Sequence, residues 1–121
     1  MTIKKRIFVV DDELDICLVL KIVLENNGFI VTYYCNPILA LNEFKSNFYD
    51  LIILDIQMPD INGFQLYREI KNRDINAKIC FLTASESIFD IAYKFFPVYT
   101  FIRKPIQNKD LIRVINGLLN N

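Results

Sequence analysis

Four short, mostly apolar runs set the frame of the chain: IFVV at 7–10, LIIL at 51–54, ICFL at 79–82 and FIR at 101–103. Each ends, at its C-terminal side, on polar residues suited to handling a phosphoryl group, namely Asp11-Asp12, Asp55, Thr83 and Lys104-Pro105. Runs of this length, alternating with longer stretches of helical periodicity, read as parallel strands buried on both faces. The pattern predicts strands over about 5–10, 29–34, 50–54, 78–82 and 98–102, and helices over about 13–27, 37–47, 64–73, 86–96 and 107–119.

The helices carry their own signals. Ile16, Val19, Leu20, Val23 and Leu24 make one stripe on the first, which Asn27-Gly28 closes. Asn36 caps the second, with Pro37 at its first position and Leu39, Ala40, Leu41 and Phe44 on the inner face. Leu66 and Ile70 point inward from the third, and Leu111, Val114, Ile115 and Leu118 form the stripe of the last. Gln57 to Gly63 is a loop, because a proline and an Asn-Gly pair punctuate it. The strand over 50–54, unbroken in its hydrophobicity, is the most central. Five such units with right-handed crossovers give an α/β fold, a doubly wound parallel sheet with helices on both faces. Groups just past the carboxyl ends of its strands share one crevice, so three carboxylates, a hydroxyl and an amine converge.

Composition narrows the picture. A chain of 121 residues, 53% hydrophobic, predicts one domain over 1–121. No apolar run approaches the ~18 residues of a membrane span, and the charged N-terminal segment is no signal peptide, so a cytoplasmic location and no membrane contact are expected. Fourteen basic and fourteen acidic side chains leave no net field for nucleic acid, so no direct nucleic-acid binding is expected. Cys17, Cys35 and Cys80, odd in number and set among apolar residues, suit reduced structural thiols.

Asp11, Asp12 and Asp55 at adjacent strand ends raise one another's pKa unless a cation is shared. Oxygen-only donors with room for water and a phosphate favour magnesium over calcium or zinc. An Asp-Asp-Glu run ahead of a helix also serves as cap and macrodipole complement. Asp55 has no helix to cap, so it is the stronger signal. A carboxylate beside a metal can attack phosphorus to form an acyl phosphate. Thr83 offers a hydroxyl to a phosphoryl oxygen, small Ala84 leaves it room, and Lys104 supplies an ammonium that pairs with Asp55 and then with the phosphate. A strand-ending Thr or a Lys-Pro turn is ordinary alone; each at the end of its own strand, together, is not.

Through FVVDDE at 8–13, LIILDIQMPDINGF at 51–64, FLTAS at 81–85 and FIRKPI at 101–106, the chain resembles the receiver domain of two-component response regulators over its whole length. The resemblance implies the flavodoxin-like sheet of order 2-1-3-4-5. It implies Asp55 as phospho-acceptor, with Mg2+ held by Asp11 through water, by Asp12 and Asp55 directly, and by the backbone carbonyl of Gln57. It makes Thr83 and Lys104 the residues that contact the phosphoryl group and Phe101 the aromatic that follows Thr83 in the switch. The phosphoryl donor is then a sensor histidine kinase or a histidine phosphotransfer protein. The output is a downstream protein target or a homodimer, engaged through the face from the fourth to the fifth predicted helix.

Departures from the commonest pattern are Phe101 without a hydroxyl, Asn62 before Gly63, Pro97-Val98 at the entry to the last strand and Pro37 at the second helix. Gln57 and Ser85 occupy the two positions that tune dephosphorylation in the family, and Ser85 is too short to position water as a carboxylate would. Phe89, Tyr93, Phe95, Phe96, Tyr99 and Phe101 crowd one segment. Neighbours such as 95 and 96 diverge by about 100° around a helix, so at least one ring is expected at the surface, as on a partner face. An aspartate-nucleophile phosphohydrolase is disfavoured because Gln57 replaces its second acid. A phosphorylation-independent interaction module is disfavoured because all five site residues are kept.

Overall fold

The computed structural model describes residues 3–85, 87, 88, 90, 94, 100–105 and 107–120. In chain order the elements are β1 (Arg6–Val10), α1 (Leu14–Asn26), β2 (Ile30–Tyr34), α2 (Pro37–Glu43), β3 (Leu51–Asp55), α3 (Gly63–Arg73), β4 (Ile79–Thr83) and β5 (Thr100–Arg103). The last helix, here α4, spans Asn108–Leu119. The strands form one parallel sheet of order β2-β1-β3-β4-β5, with β3 at the centre and buried at every position. Most of the helix expected over 86–96 lies outside the described residues, as do Phe89, Tyr93, Phe95, Phe96 and Tyr99.

Alternation along the strands divides the core into two layers. Ile7, Val9, Ile53, Cys80, Leu82 and Ile102 face α1 and α4, which contribute Cys17, Leu20, Leu24, Leu111, Ile115 and Leu118. Phe8, Val10, Ile52, Leu54, Ile79 and Phe81 face α2 and α3, which contribute Ala40, Leu66, Tyr67 and Ile70. A sheet covered on both faces accounts for the absence of polar alternation in LIIL.

Local chemistry sets the boundaries. Gly28 takes φ 90° just past the Asn27 C-cap of α1, the left-handed conformation that glycine adopts without a Cβ penalty. Asn36 caps α2 by accepting from the Ile38 and Leu39 amides, with Pro37 behind it. Asn62 and Gln65 close a reciprocal capping box on α3.

Two expectations are corrected. α2 ends at Glu43 rather than near 47, because Phe44 turns extended at φ −62° and ψ 134°. Its ring then stacks edge-on against Phe8 at 5.5 Å. Within the helix Leu39 faces outward, 46% exposed, and Ala40 takes the buried place. On α1, Val19 is 52% exposed and Cys17 takes the buried place beside Leu20 and Leu24.

Candidate functional site

Strand register builds the site. Val10 pairs with Leu54, so the residues that follow, Asp11 and Asp55, stand side by side. Asp55 pairs with Leu82 and Thr83 with Arg103, which puts Thr83 and Lys104 one step further along the same edge. The ladder continues past the strand ends through Lys104 N–H to Thr83 O at 2.8 Å and Ile56 N–H to Leu82 O at 3.1 Å. Four strands thus deliver Asp11, Asp12, Asp55, Thr83 and Lys104 to one edge of the sheet.

Carboxylate oxygens of Asp11, Asp12 and Asp55 lie within 4.8 Å of one another; Asp11 and Asp55 are buried and Asp12 is exposed. Lys104 bridges the buried pair, donating to Asp11 Oδ2 at 2.7 Å and to Asp55 Oδ1 at 3.2 Å. Glu13 adds a carboxylate 3.9 Å from the same ammonium. Sequence reasoning paired Lys104 with Asp55 alone; its shorter bond to Asp11 depends on the β1–β3–β5 geometry and leaves no mark in any local motif. Asp11 Oδ1 also accepts the Glu13 amide at 3.0 Å, a turn that leads the chain into α1.

Burial, then the charge of Asp11, then that of Asp12 push the Asp55 carboxyl up to about 7, with Lys104 opposing them. For Lys104 burial pulls downward, but the hydrogen bonds and charges of Asp11 and Asp55 outweigh it and hold the ammonium above its ordinary pKa. One ammonium against three carboxylates leaves net negative charge in a half-enclosed, oxygen-only cluster. That donor set fits a hard divalent cation such as Mg2+.

Thr83 is buried, and its hydroxyl accepts the Ser85 amide at 3.0 Å and donates to Ser85 O at 3.4 Å. Phe101, half-buried, stacks on Phe81 at 5.6 Å on the α3 side of the sheet. Gln57 is exposed at the start of the loop after β3.

Gly63 belongs to the site as well. A Cβ there would collide with the Asp55 carbonyl oxygen and lie 2.7 Å from Ile56 Cα, while its amide donates to Ile56 O at 2.8 Å. Glycine therefore lets the start of α3 back directly onto the chain that carries Asp55. In the sequence the Asn-Gly pair was legible as a loop signal, not as this close approach.

Residues 7–116 match the profile of the response regulator receiver domain. The chain belongs to that family. It is 31% identical over 115 residues, 94% of its length, to the response regulator SaeR of Staphylococcus aureus, of which the match covers 50%. The chain spans about half the length of the curated relatives it matches. Among solved structures, a response regulator receiver domain protein from Clostridium thermocellum superposes with a TM-score of 0.84 at 29% identity, covering 96% of this chain and 94% of that one. The response regulator TrrA from Thermotoga maritima, solved in complex with Mg2+ and BeF, gives 0.80 at 32% identity, covering 94% and 98%. Receiver domains serve two-component signal transduction, where they meet histidine kinases and effector domains, and the acidic pocket here suits a phosphorylation site. Among the described residues of this receiver no helix is long and apolar enough to cross a membrane.

Proposed function

We propose that residues 1–121 form one receiver domain that takes a phosphoryl group on Asp55 from a sensor histidine kinase or a histidine phosphotransfer protein. The observation that carries this reading is the burial of Asp55 at the end of the central strand, joined to Asp11 through the Lys104 ammonium. An Asp55 carboxylate oxygen attacks phosphorus, the O–P bond forms, and the bond from phosphorus to the donor imidazole breaks. Lys104, already spanning Asp11 and Asp55, shifts to a phosphoryl oxygen as negative charge arrives. Asp12, Asp55 and the Gln57 carbonyl would hold Mg2+, with Asp11 assisting through water, and the cation would neutralise charge on the incoming group. The complex of TrrA with Mg2+ and BeF supports this at the level of a relative.

Thr83 gives up its turn with Ser85 to bond the phosphoryl group, and Phe101 moves into the space it leaves. Reversing a 1:99 equilibrium takes about 5.5 kcal/mol of differential stabilisation. Two or three charge-assisted hydrogen bonds at ~1.5–3 kcal/mol each supply it. The changed face, from the helix expected over 86–96 to α4, then engages a downstream protein or a second copy. The domain works in the cytoplasm as a signalling acceptor, its only catalysis being its own phosphorylation and slow dephosphorylation. Incubation with Mg2+ and acetyl phosphate, read by intact mass, tests the reading: one phosphate is gained, and no gain contradicts it.

A further inference from the structure

We propose that Cys17 and Cys35 are joined as a disulfide by a hydroperoxide oxidant, and that the cross-link weakens divalent-cation binding at Asp11. The second half rests on the metal reading above.

Eighteen positions separate the two cysteines, yet the fold brings them to one point behind the acidic crevice. Cys17, fully buried on α1, lies with its Sγ 3.1 Å from Asp11 O, to which it donates, and 3.8 Å from Tyr34 O. Tyr34 O belongs to the peptide group that carries the Cys35 nitrogen, and it also accepts the Asp11 amide at 3.2 Å. Cys35 follows Tyr34 directly and packs, half-buried, on the core layer that contains Cys17. Cys80 sits on β4, two strands from β1, and is fully buried. Among the described residues the cluster able to hold a metal is Asp11, Asp12 and Asp55, so the two sulfurs lack the further donors a metal would need.

The chemistry balances with two electrons. The more accessible Cys35 sulfur attacks one oxygen of hydrogen peroxide; an S–O bond forms, the O–O bond breaks, and the other oxygen leaves with the thiol proton as water. Cys17 sulfur then attacks Cys35 sulfur; the S–S bond forms, the S–O bond breaks, and the departing hydroxide takes the Cys17 proton as a second water. That proton is the one now donated to Asp11 O. The cross-link removes this donor and ties the first turns of α1, which follow the Glu13 amide that holds Asp11 Oδ1, to the residue after β2. A reversible bond of this kind suits a reducing compartment, where disulfides act transiently as sensors.

The test treats the whole chain with hydrogen peroxide, quenches it in acid and reads intact mass, peptide cross-links and Mg2+ affinity by calorimetry. Expected are a loss of about 2 Da reversed by dithiothreitol, a Cys17–Cys35 peptide pair, and about tenfold weaker Mg2+ binding, the usual scale for disturbing a group behind a metal ligand. The cross-link should be absent in Cys35→Ser and kept in Cys80→Ala. Stepwise oxygen gain at Cys35 without a cross-link, or a cross-link to Cys80, overturns the pairing. Equal Mg2+ affinity in oxidised and reduced protein overturns the coupling. If reduced protein binds no Mg2+, the metal reading fails while the mass readout still judges the disulfide.

Discussion

Lys104 Nζ stands 2.7 Å from Asp11 Oδ2 and 3.2 Å from Asp55 Oδ1, so the ammonium is held by Asp11 at least as firmly as by Asp55. Removing it leaves two buried carboxylates facing each other. In metal-free buffer at neutral pH, Lys104→Met should lose ~2 kcal/mol of stability by urea unfolding, the scale of a charge-assisted hydrogen bond between largely buried groups. Mg2+ should recover much of that loss, giving the variant a larger rise in melting temperature than wild type shows. An equal Mg2+ response in the two proteins contradicts the shared role.

Asp55 gives a pH dependence with a definite sign. Its folded pKa, about 7, lies above the ordinary value of 3.8, so the unfolded chain releases this proton first. Its stabilising contribution is complete below pH ~4 and is lost as pH rises towards 7. Without Mg2+, Asp55→Asn should therefore gain stability over wild type between those limits and keep a constant advantage above them. Melting curves from pH 5 to 8 check this, and parallel curves contradict it.

Magnesium acts on the same balance. Because Asp11 and Asp12 add to the charge around Asp55, the cation should raise the melting temperature more at pH 8 than at pH 5. Asp12→Ala should abolish most of the rise. An undiminished rise in Asp12→Ala places the cation elsewhere.

Gly63 should tolerate no side chain. A Cβ there meets the Asp55 and Ile56 backbone rather than a flexible side chain, so Gly63→Ala should cost ~1–3 kcal/mol, the range for overpacking a filled site. It should also slow phosphorylation by displacing Asp55. Gly117, with open space around it, is the control: Gly117→Ala on α4 should be neutral or stabilising.

The coupling of Phe101 to Asp55 is read by amide exchange with and without beryllofluoride. Activation should change protection across residues 86–104, and Phe101→Ala should blunt the change. An unaltered pattern in wild type, or a full response in Phe101→Ala, contradicts the coupling.

Much of this architecture was legible in the chain because the strands announce themselves twice, by apolar runs and by the polar residues that end them. LIIL read as the central strand because burial on both faces removes alternation, and β3 is that strand. Asp11, Asp12, Asp55, Thr83 and Lys104 were legible as neighbours at one sheet edge because a parallel sheet brings strand ends together. What the sequence hid was contact across elements. Phe44 continues the helical periodicity of α2, yet its ring packs better on Phe8 from an extended backbone. Cys17 looked like one more apolar residue, and only the packing of α1 onto β1 and β2 shows its bond to Asp11 O. Lys104's preference for Asp11 likewise belongs to side-chain placement, which no spacing along the chain records.

The measurement that tests the central claim most directly is intact mass after incubation with Mg2+ and acetyl phosphate, run on wild type and Asp55→Asn side by side. Wild type should gain one phosphate, labile to hydroxylamine as an acyl phosphate is, and Asp55→Asn should gain none. Full phosphorylation of Asp55→Asn, or a hydroxylamine-stable phosphate on wild type, would contradict Asp55 as the acceptor.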